Sequence, residues 1–138
     1  MNPLIRNILA VVAGVFIGWA VNMGLIVISS SVIPLPEGID PTNMDSLKEN
    51  MHLMQMKHYI FPFLAHALGT LAGAFLAAKL AATHKKTIGL ALGAFFLLGG
   101  IMSAFMLPAP TWFIIVDLVG AYIPMALLGI ALARGKNA

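Results

Sequence analysis

Residues 111–133 read TWFIIVDLVGAYIPMALLGIALA, and this stretch decides the class of the fold. A run of about 20 apolar residues is long enough for one helix to cross the hydrocarbon core of a bilayer. Asp117 is the one acidic residue within the run, whereas the other four lie in a single polar stretch earlier in the chain. An ionisable side chain at membrane depth costs about 3 kcal/mol or more, so Asp117 is a candidate functional residue.

The whole chain has the composition of an integral membrane protein. Of its 138 residues, 60% are hydrophobic and 9% are charged. Its mean hydropathy is +0.95, and soluble domains carry about 25% charged residues. We therefore predict a single all-α membrane domain over residues 1–138. The chain contains no cysteine, which excludes disulfides, thiolate metal sites and cysteine nucleophiles.

Four apolar segments are long enough to span a bilayer. We predict spans near residues 5–33, 59–82, 87–107 and 111–133, with an outer loop over residues 34–58. Positively charged residues favour the cytoplasmic side of a membrane. If the helices alternate in direction, Lys48 and Lys57 fall on one side and six basic residues on the other: Arg6, Lys79, Lys85, Lys86, Arg134 and Lys136. This bias predicts a four-helix bundle of the bacterial inner membrane, with both termini in the cytoplasm.

Small residues recur at four-residue spacing in three of the predicted spans. This spacing puts them on one face of a helix, where they allow two backbones to approach closely. The candidate packing residues are Gly14 and Gly18, Gly69 and Gly73, and Gly89 and Gly93. The pattern predicts a tightly packed bundle. It leaves open whether these faces pack within one chain, form the seam of a homo-oligomer, or bind another membrane subunit.

A layer of polar side chains is predicted in the outer half of the bilayer. At a rise of 1.5 Å per residue, His66 lies roughly 10 Å, and Asp117 roughly 9 Å, below the outer end of its span. Asn22, Ser103 and Thr70 fall near the same depth. A buried carboxylate needs a partner, and we expect His66 to contact Asp117 because no Lys or Arg lies at this depth. Such a layer is compatible with a structural lock between helices, a proton or cation path, or a site for a lipid or quinone.

The outer loop has the pattern of an amphipathic helix. A helix start is indicated at Asp40 or Thr42. From there four apolar residues follow at intervals of three, four and three, which places them on one helical face: Met44, Leu47, Met51 and Met54. We predict an extracytoplasmic helix that lies at the membrane surface or covers the mouth of the bundle.

Methionine and histidine in this loop also allow a metal-binding interpretation. Thioether and imidazole groups are suitable ligands for Cu(I), and Met51, Met54 and His58 would share one face of a continuous helix. Methionine is equally a common component of apolar interfaces, which is the reading that we favour. We therefore predict no cofactor, with Cu(I) or a quinone as the alternatives.

The sequence contains no constellation that indicates an enzyme. The glycine-rich stretches lie in predicted spans and match no nucleotide-binding loop, and no zinc-protease or Ser-x-x-Lys pattern occurs. The net charge of +3 is spread over helix ends, so a nucleic-acid partner is not expected. We predict a non-catalytic accessory or structural subunit, in contact with lipid and with copies of itself or other membrane subunits. The alternatives are a small transporter or channel that uses His66 and Asp117, and a subunit that binds lipid, quinone or Cu(I).

Overall fold

A computed structural model describes residues 1–135, most of which are helical. Its elements are α1 (Pro3–Val32), α2 (Met44–Asn50), two short 3₁₀ helices (Met51–Leu53 and Met56–Tyr59), α3 (Ile60–Leu80), α4 (Lys85–Met106), α5 (Thr111–Gly120) and α6 (Ile123–Arg134). Four helical stretches are long and apolar enough to cross a membrane: Pro3–Val32, Met56–Leu80, Lys85–Met106 and Thr111–Arg134. The predicted all-α class, with four helical stretches long and apolar enough to span a membrane, is therefore confirmed.

The fourth span is not the single helix that its length predicts. Helix α5 ends at Gly120 and α6 begins at Ile123, with Ala121 and Tyr122 between them. Pro124 explains the break, because its nitrogen carries no hydrogen and cannot donate to the backbone one turn earlier. The helical hydrogen bonds resume when the Ala126 N–H donates to the Tyr122 carbonyl at 2.8 Å. The break places the Tyr122 side chain inside the bundle, where it is 3% exposed.

Helix α3 lies at the centre of the bundle and packs against α1, α4 and α6. The α1–α3 contact is a backbone-to-backbone crossing: a methyl group added at Gly14 would lie 2.7 Å from the Gly73 carbonyl oxygen, and one at Gly18 would lie 2.9 Å from that of Gly69. Such approach is possible only without a Cβ atom. Helix α1 has few contacts with α4, which leaves a gap between these two helices.

Helix α6 packs by the same means. A methyl group at Gly93 of α4 would lie 2.6 Å from the Ala126 side chain, and one at Gly89 would overlap Ile130. Gly129, which the spacing pattern does not single out, approaches α3 so closely that a methyl group would lie 2.6 Å from the Leu71 carbonyl oxygen. All six glycines chosen from the sequence thus face another helix of the same chain.

The amphipathic helix predicted in the outer loop is only partly formed, as α2 (Met44–Asn50). Helix α2 ends at Asn50, and the chain continues as two 3₁₀ turns separated by extended backbone at Met54 and Gln55. The four apolar residues therefore do not form one helical stripe: Met44 is exposed, Met51 is buried, and Leu47 and Met54 are partly buried. We call residues 34–59 the lid segment, because the chain there folds over one end of the bundle.

The start of α2 also differs from the sequence prediction. Asn43 is the N-cap, and its side chain accepts a hydrogen bond from the Ser46 N–H at 3.1 Å. Asp40 instead closes a turn before the helix, accepting from the Thr42 hydroxyl at 2.6 Å and from the Thr42 N–H at 2.9 Å. These two bonds, the hydroxyl first, hold the pKa of the Asp40 carboxyl below its usual value.

Basic side chains gather at the opposite end of the bundle. The Arg6 Nε donates to the Leu80 carbonyl at 2.7 Å, and the side-chain Oδ1 of Asn7 accepts from the Ala82 N–H at 2.8 Å. These bonds tie the start of α1 to the turn between α3 and α4. We call this the basic end, defined by Arg6, Lys79, Lys85, Lys86 and Arg134; Lys136, which was counted with them, lies outside the described residues.

Candidate ligand site

His66 and Asp117 are in contact in the half of the bundle nearer the lid segment. The His66 Nδ1 lies 2.8 Å from the Asp117 Oδ1, and the Tyr122 hydroxyl donates to the Asp117 Oδ2 at 3.3 Å. Both carboxylate oxygens therefore have a partner, and Asp117 is 5% exposed. The rings of His66 and Tyr122 also stack, with centroids 5.8 Å apart and an interplanar angle of 23°.

The distances of His66 and Asp117 from the starts of their helices explain why these two side chains meet. His66 lies six residues after the start of α3, and Asp117 lies six residues after the start of α5. Both helices begin at the same end of the bundle, where Phe113 of α5 packs against Met51 and Tyr59 of the lid segment. Equal spacing therefore puts both side chains at equal depth. Tyr122 would lie deeper in an unbroken helix. Sequence spacing alone therefore does not place Tyr122 in the site, although Pro124 is the residue that predicts the break.

The other members of the predicted polar layer are placed differently. Thr70 is buried, and its hydroxyl donates to the His66 carbonyl at 2.8 Å within the same helix. Asn22 and Ser103 make no side-chain hydrogen bond to any of residues 1–135; they line a cleft that His66 also lines. The layer is therefore one contacting triad, His66–Asp117–Tyr122, with two polar side chains on the wall beside it.

A cavity of about 150 Å³ separates the triad from the lid segment. His66 and Asp117 line its inner wall, and the lid contributes Leu47, Met51 and Met54. An apolar cavity of about this volume accommodates a molecule the size of benzene. The predicted role of the loop as a cover over the bundle mouth is thus compatible with the arrangement, although its backbone is not the predicted helix.

A larger groove of about 700 Å³ runs between α1 and α4, in the gap where these helices have few contacts. Its rim is aromatic: Phe16, Trp19 and Phe95 are 65%, 56% and 55% exposed. Its inner wall carries His66 and the side chains of Asn22 and Ser103. The groove and the cavity under the lid share three lining residues, His66, Gly100 and Ser103.

Three polar groups in this region are free to bind a ligand. No atom of residues 1–135 makes a hydrogen bond to the His66 Nε2, the Asn22 amide or the Ser103 hydroxyl. None of these groups is sealed from the surface, since no buried side-chain nitrogen or oxygen in the described residues lacks a partner. A polar group beside hydrocarbon is stabilised when it gains a hydrogen bond, so these groups favour a ligand with a polar head.

The residues proposed for Cu(I) do not suit a metal ion in this structure. Met51, Met54 and His58 all line the cavity under the lid, but the helix that would align them is interrupted. The His58 Nδ1 accepts from the Gln55 N–H at 2.7 Å, and its Nε2 lies 3.1 Å from the Pro34 carbonyl oxygen. The lone pair that would bind a metal is therefore already engaged, and the role of His58 is to fasten the lid.

No protein-family model, curated protein or solved structure matches this chain.

Proposed function

We propose that this protein is a small, non-catalytic membrane subunit that binds an uncharged amphiphile, with the ligand's polar head at His66 and its apolar chain in the groove between α1 and α4. One observation carries the proposal. The unpaired hydrogen-bonding groups of Asn22, His66 and Ser103 line a groove whose other lining residues, apart from Thr70 and Tyr122, are apolar. Ligand sites in general are apolar clefts with a few converging polar groups.

The chemistry of the lining favours a ligand without charge. Within residues 1–135, neither the cavity nor the groove is lined by Lys or Arg, so a phosphate head would have no cation to pair with. An imidazole, an amide and a hydroxyl together bind carbonyl or hydroxyl groups well. Quinones, quinols and long-chain alcohols belong to this class. The exposed aromatic rim faces the bilayer, so such molecules would enter sideways from the lipid.

Proton or cation transport is the second candidate, and the triad is the observation that favours it. Tyr122, Asp117 and His66 form a continuous chain of hydrogen bonds. The bundle below the triad is closed, however, by a cluster of fully buried apolar residues: Ala74, Ala77, Leu92 and Ala126. A path that ends at an apolar core supports ligand binding better than conduction. If the protein carries a proton flux in liposomes and the Asp117→Asn substitution abolishes it, transport becomes the better-supported function.

Fluorescence titration with a decyl-substituted benzoquinone tests the proposed site. In a Trp112→Phe background, Trp19 is the remaining tryptophan, and it lies on the rim of the groove. We expect saturable quenching of Trp19 that is lost in His66→Leu and Asn22→Leu variants. Ser30→Ala is the matched control, because Ser30 is exposed on the same helix as Asn22. Linear quenching that is equal in all variants would show partitioning into the detergent and refute the proposal.

Topology and assembly are further parts of the proposal. The excess of Lys and Arg residues on the side of the two termini supports a bacterial inner-membrane protein with both termini in the cytoplasm. Because the chain contains no cysteine, an introduced cysteine is unique: an impermeant maleimide should label Glu37→Cys in intact cells but not Lys86→Cys.

The small soluble mass supports an accessory subunit of a homo-oligomer or larger complex. Native mass spectrometry of the protein purified in mild detergent would identify copies or partners.

A further inference from the structure

A second cavity, of about 320 Å³, lies at the basic end of the bundle. It is lined by Lys79, Lys85 and Arg134 together with Ala78, Ile130 and Ala133. The three cations come from the last turn of α3, the start of α4 and the end of α6. The cavity therefore lies at a boundary between hydrocarbon and water, with basic side chains around an apolar wall.

These cations have no acidic partner in the described part of the chain. The ion pair that residues 1–135 contain is His66–Asp117. The other acidic residues, at positions 37, 40, 45 and 49, belong to the lid segment beyond the opposite end of the bundle. The positive charge of the cavity is thus not neutralised by any carboxylate of residues 1–135.

The three side chains have different roles around the cavity. The Lys85 Nζ donates to the carbonyl oxygens of Ala78, Lys79 and Ala81 at 3.2, 3.4 and 2.6 Å. These bonds use its three donors and fix its charge against the cavity wall. The Lys79 ammonium and the Arg134 guanidinium make no hydrogen bond to any of residues 1–135 and are exposed. Their donors are therefore available to an anionic ligand.

We infer that this cavity binds the phosphate group of an anionic phospholipid, with Lys79 and Arg134 donating to the phosphate oxygens. Arginine pairs with phosphate through two parallel hydrogen bonds, and lysine adds a point charge. The apolar wall formed by Ile130 and Ala133 favours a lipid over free phosphate, because the acyl chains of a lipid would continue into the bilayer beside it. Basic pockets between membrane helices bind lipid head groups in this manner. This site is independent of the ligand proposed for the groove.

Native mass spectrometry of the delipidated full-length protein tests the inference. The protein is titrated with phosphatidylglycerol and with phosphatidylcholine of identical acyl chains, and inorganic phosphate is added in a separate arm. We expect phosphatidylglycerol to bind about tenfold more tightly than phosphatidylcholine. This preference should be lost in a Lys79→Gln/Arg134→Gln variant and retained in Lys79→Arg/Arg134→Lys. Equal binding of the two lipids would overturn the inference.

A charge-matched control separates the site from general attraction. Lys48→Gln/Lys57→Gln removes the same charge from the lid segment and should leave the lipid preference unchanged. If both double variants lose the preference equally, the effect is one of net charge and the site is refuted. Displacement of phosphatidylglycerol by millimolar inorganic phosphate would identify a free-anion site instead. Circular dichroism of each variant confirms that the bundle is folded.

Discussion

The imidazole of His66 and the carboxylate of Asp117 join α3 to α5 by a contact of 2.8 Å between Nδ1 and Oδ1. The two residues are 51 positions apart in the sequence and at the same depth in the bundle. Asp117 is held from a second side by Tyr122, which lies in the break between α5 and α6. His66, Asp117 and Tyr122 together therefore connect α3 with α5 and with the break that precedes α6.

A double-mutant cycle measures the strength of this contact. We expect His66→Ala and Asp117→Ala to lower the free energy of unfolding singly, and their combined loss to be smaller than the sum. The difference should be about 0.6 kcal/mol, the average for interhelical hydrogen bonds in membranes, and at most about 1.7 kcal/mol. Unfolding in detergent, followed by circular dichroism, provides the values. Ser30→Ala combined with Asp117→Ala is the control and should be additive. Full additivity of the first pair would mean that the contact contributes nothing.

Two hydrogen bonds of His58 fasten the lid segment. The ring is 6% exposed; since the Gln55 N–H donates to its Nδ1, the Nε2 carries the proton and donates to the Pro34 carbonyl. Replacing His58 by leucine removes both bonds and leaves the Gln55 N–H without its acceptor. We expect amide hydrogen exchange over residues 51–59 to become about tenfold faster. His52 is exposed in the 3₁₀ turn Met51–Leu53, so His52→Leu should leave the exchange rates unchanged. Unchanged exchange in His58→Leu would show that the lid is held by other contacts.

The parts of the fold that follow from length and depth could be predicted from the sequence. A span must cross a fixed thickness of hydrocarbon. The number of candidate spans and the shared depth of His66 and Asp117 therefore follow from residue counts. The close approach of Gly14 to Gly73 follows from the lack of a Cβ atom at regular spacing.

Features that depend on tertiary contacts could not be predicted in this way. Helix α2 ends at Asn50, although the apolar spacing of the lid segment suits a longer helix. His58 contacts the Pro34 carbonyl, 24 residues away in the sequence. Local spacing carries no information about such a bond. Gly129 lacks a partner glycine at four-residue spacing, so its contact with α3 depends on where the break before α6 directs that helix. The side chains of Asn22 and Ser103 likewise remain without hydrogen-bond partners in residues 1–135 because α1 and α4 are separated.

The turn before α2 gives a prediction about pH. The Thr42 hydroxyl and N–H lower the pKa of Asp40, so these bonds stabilise the turn above the ordinary pKa of aspartate. That stability is lost as the pH falls through the lower pKa of the folded state. Thr42→Val removes the hydroxyl bond and should raise the pKa of Asp40 toward its ordinary value, whereas Thr42→Ser should not. A ¹³C titration of the Asp40 carboxyl in micelles measures both, and identical titrations of the two variants would exclude the hydroxyl as the cause.

The glycine crossing between α1 and α3 gives a prediction in which one substitution has opposite effects at two positions of one helix. Replacing glycine by alanine in an open helical position stabilises a protein by up to about 1 kcal/mol. At Gly24 a methyl group would meet nothing within 4 Å, so Gly24→Ala should be neutral or stabilising. At Gly14 it would lie 2.7 Å from the Gly73 carbonyl oxygen, which belongs to a rigid helix.

The two helices must therefore separate to admit the methyl group, and Gly14→Ala should lower the free energy of unfolding by about 1–3 kcal/mol. Gly73→Ala should cost a similar amount, since its methyl group would lie 2.8 Å from the Gly14 carbonyl oxygen. The double variant should lose less than the sum, because helices that have already separated admit the second methyl group at lower cost. Thermal unfolding in one detergent compares all four proteins with the wild type. Equal stability of Gly14→Ala and Gly24→Ala would mean that α1 and α3 do not cross at these glycines.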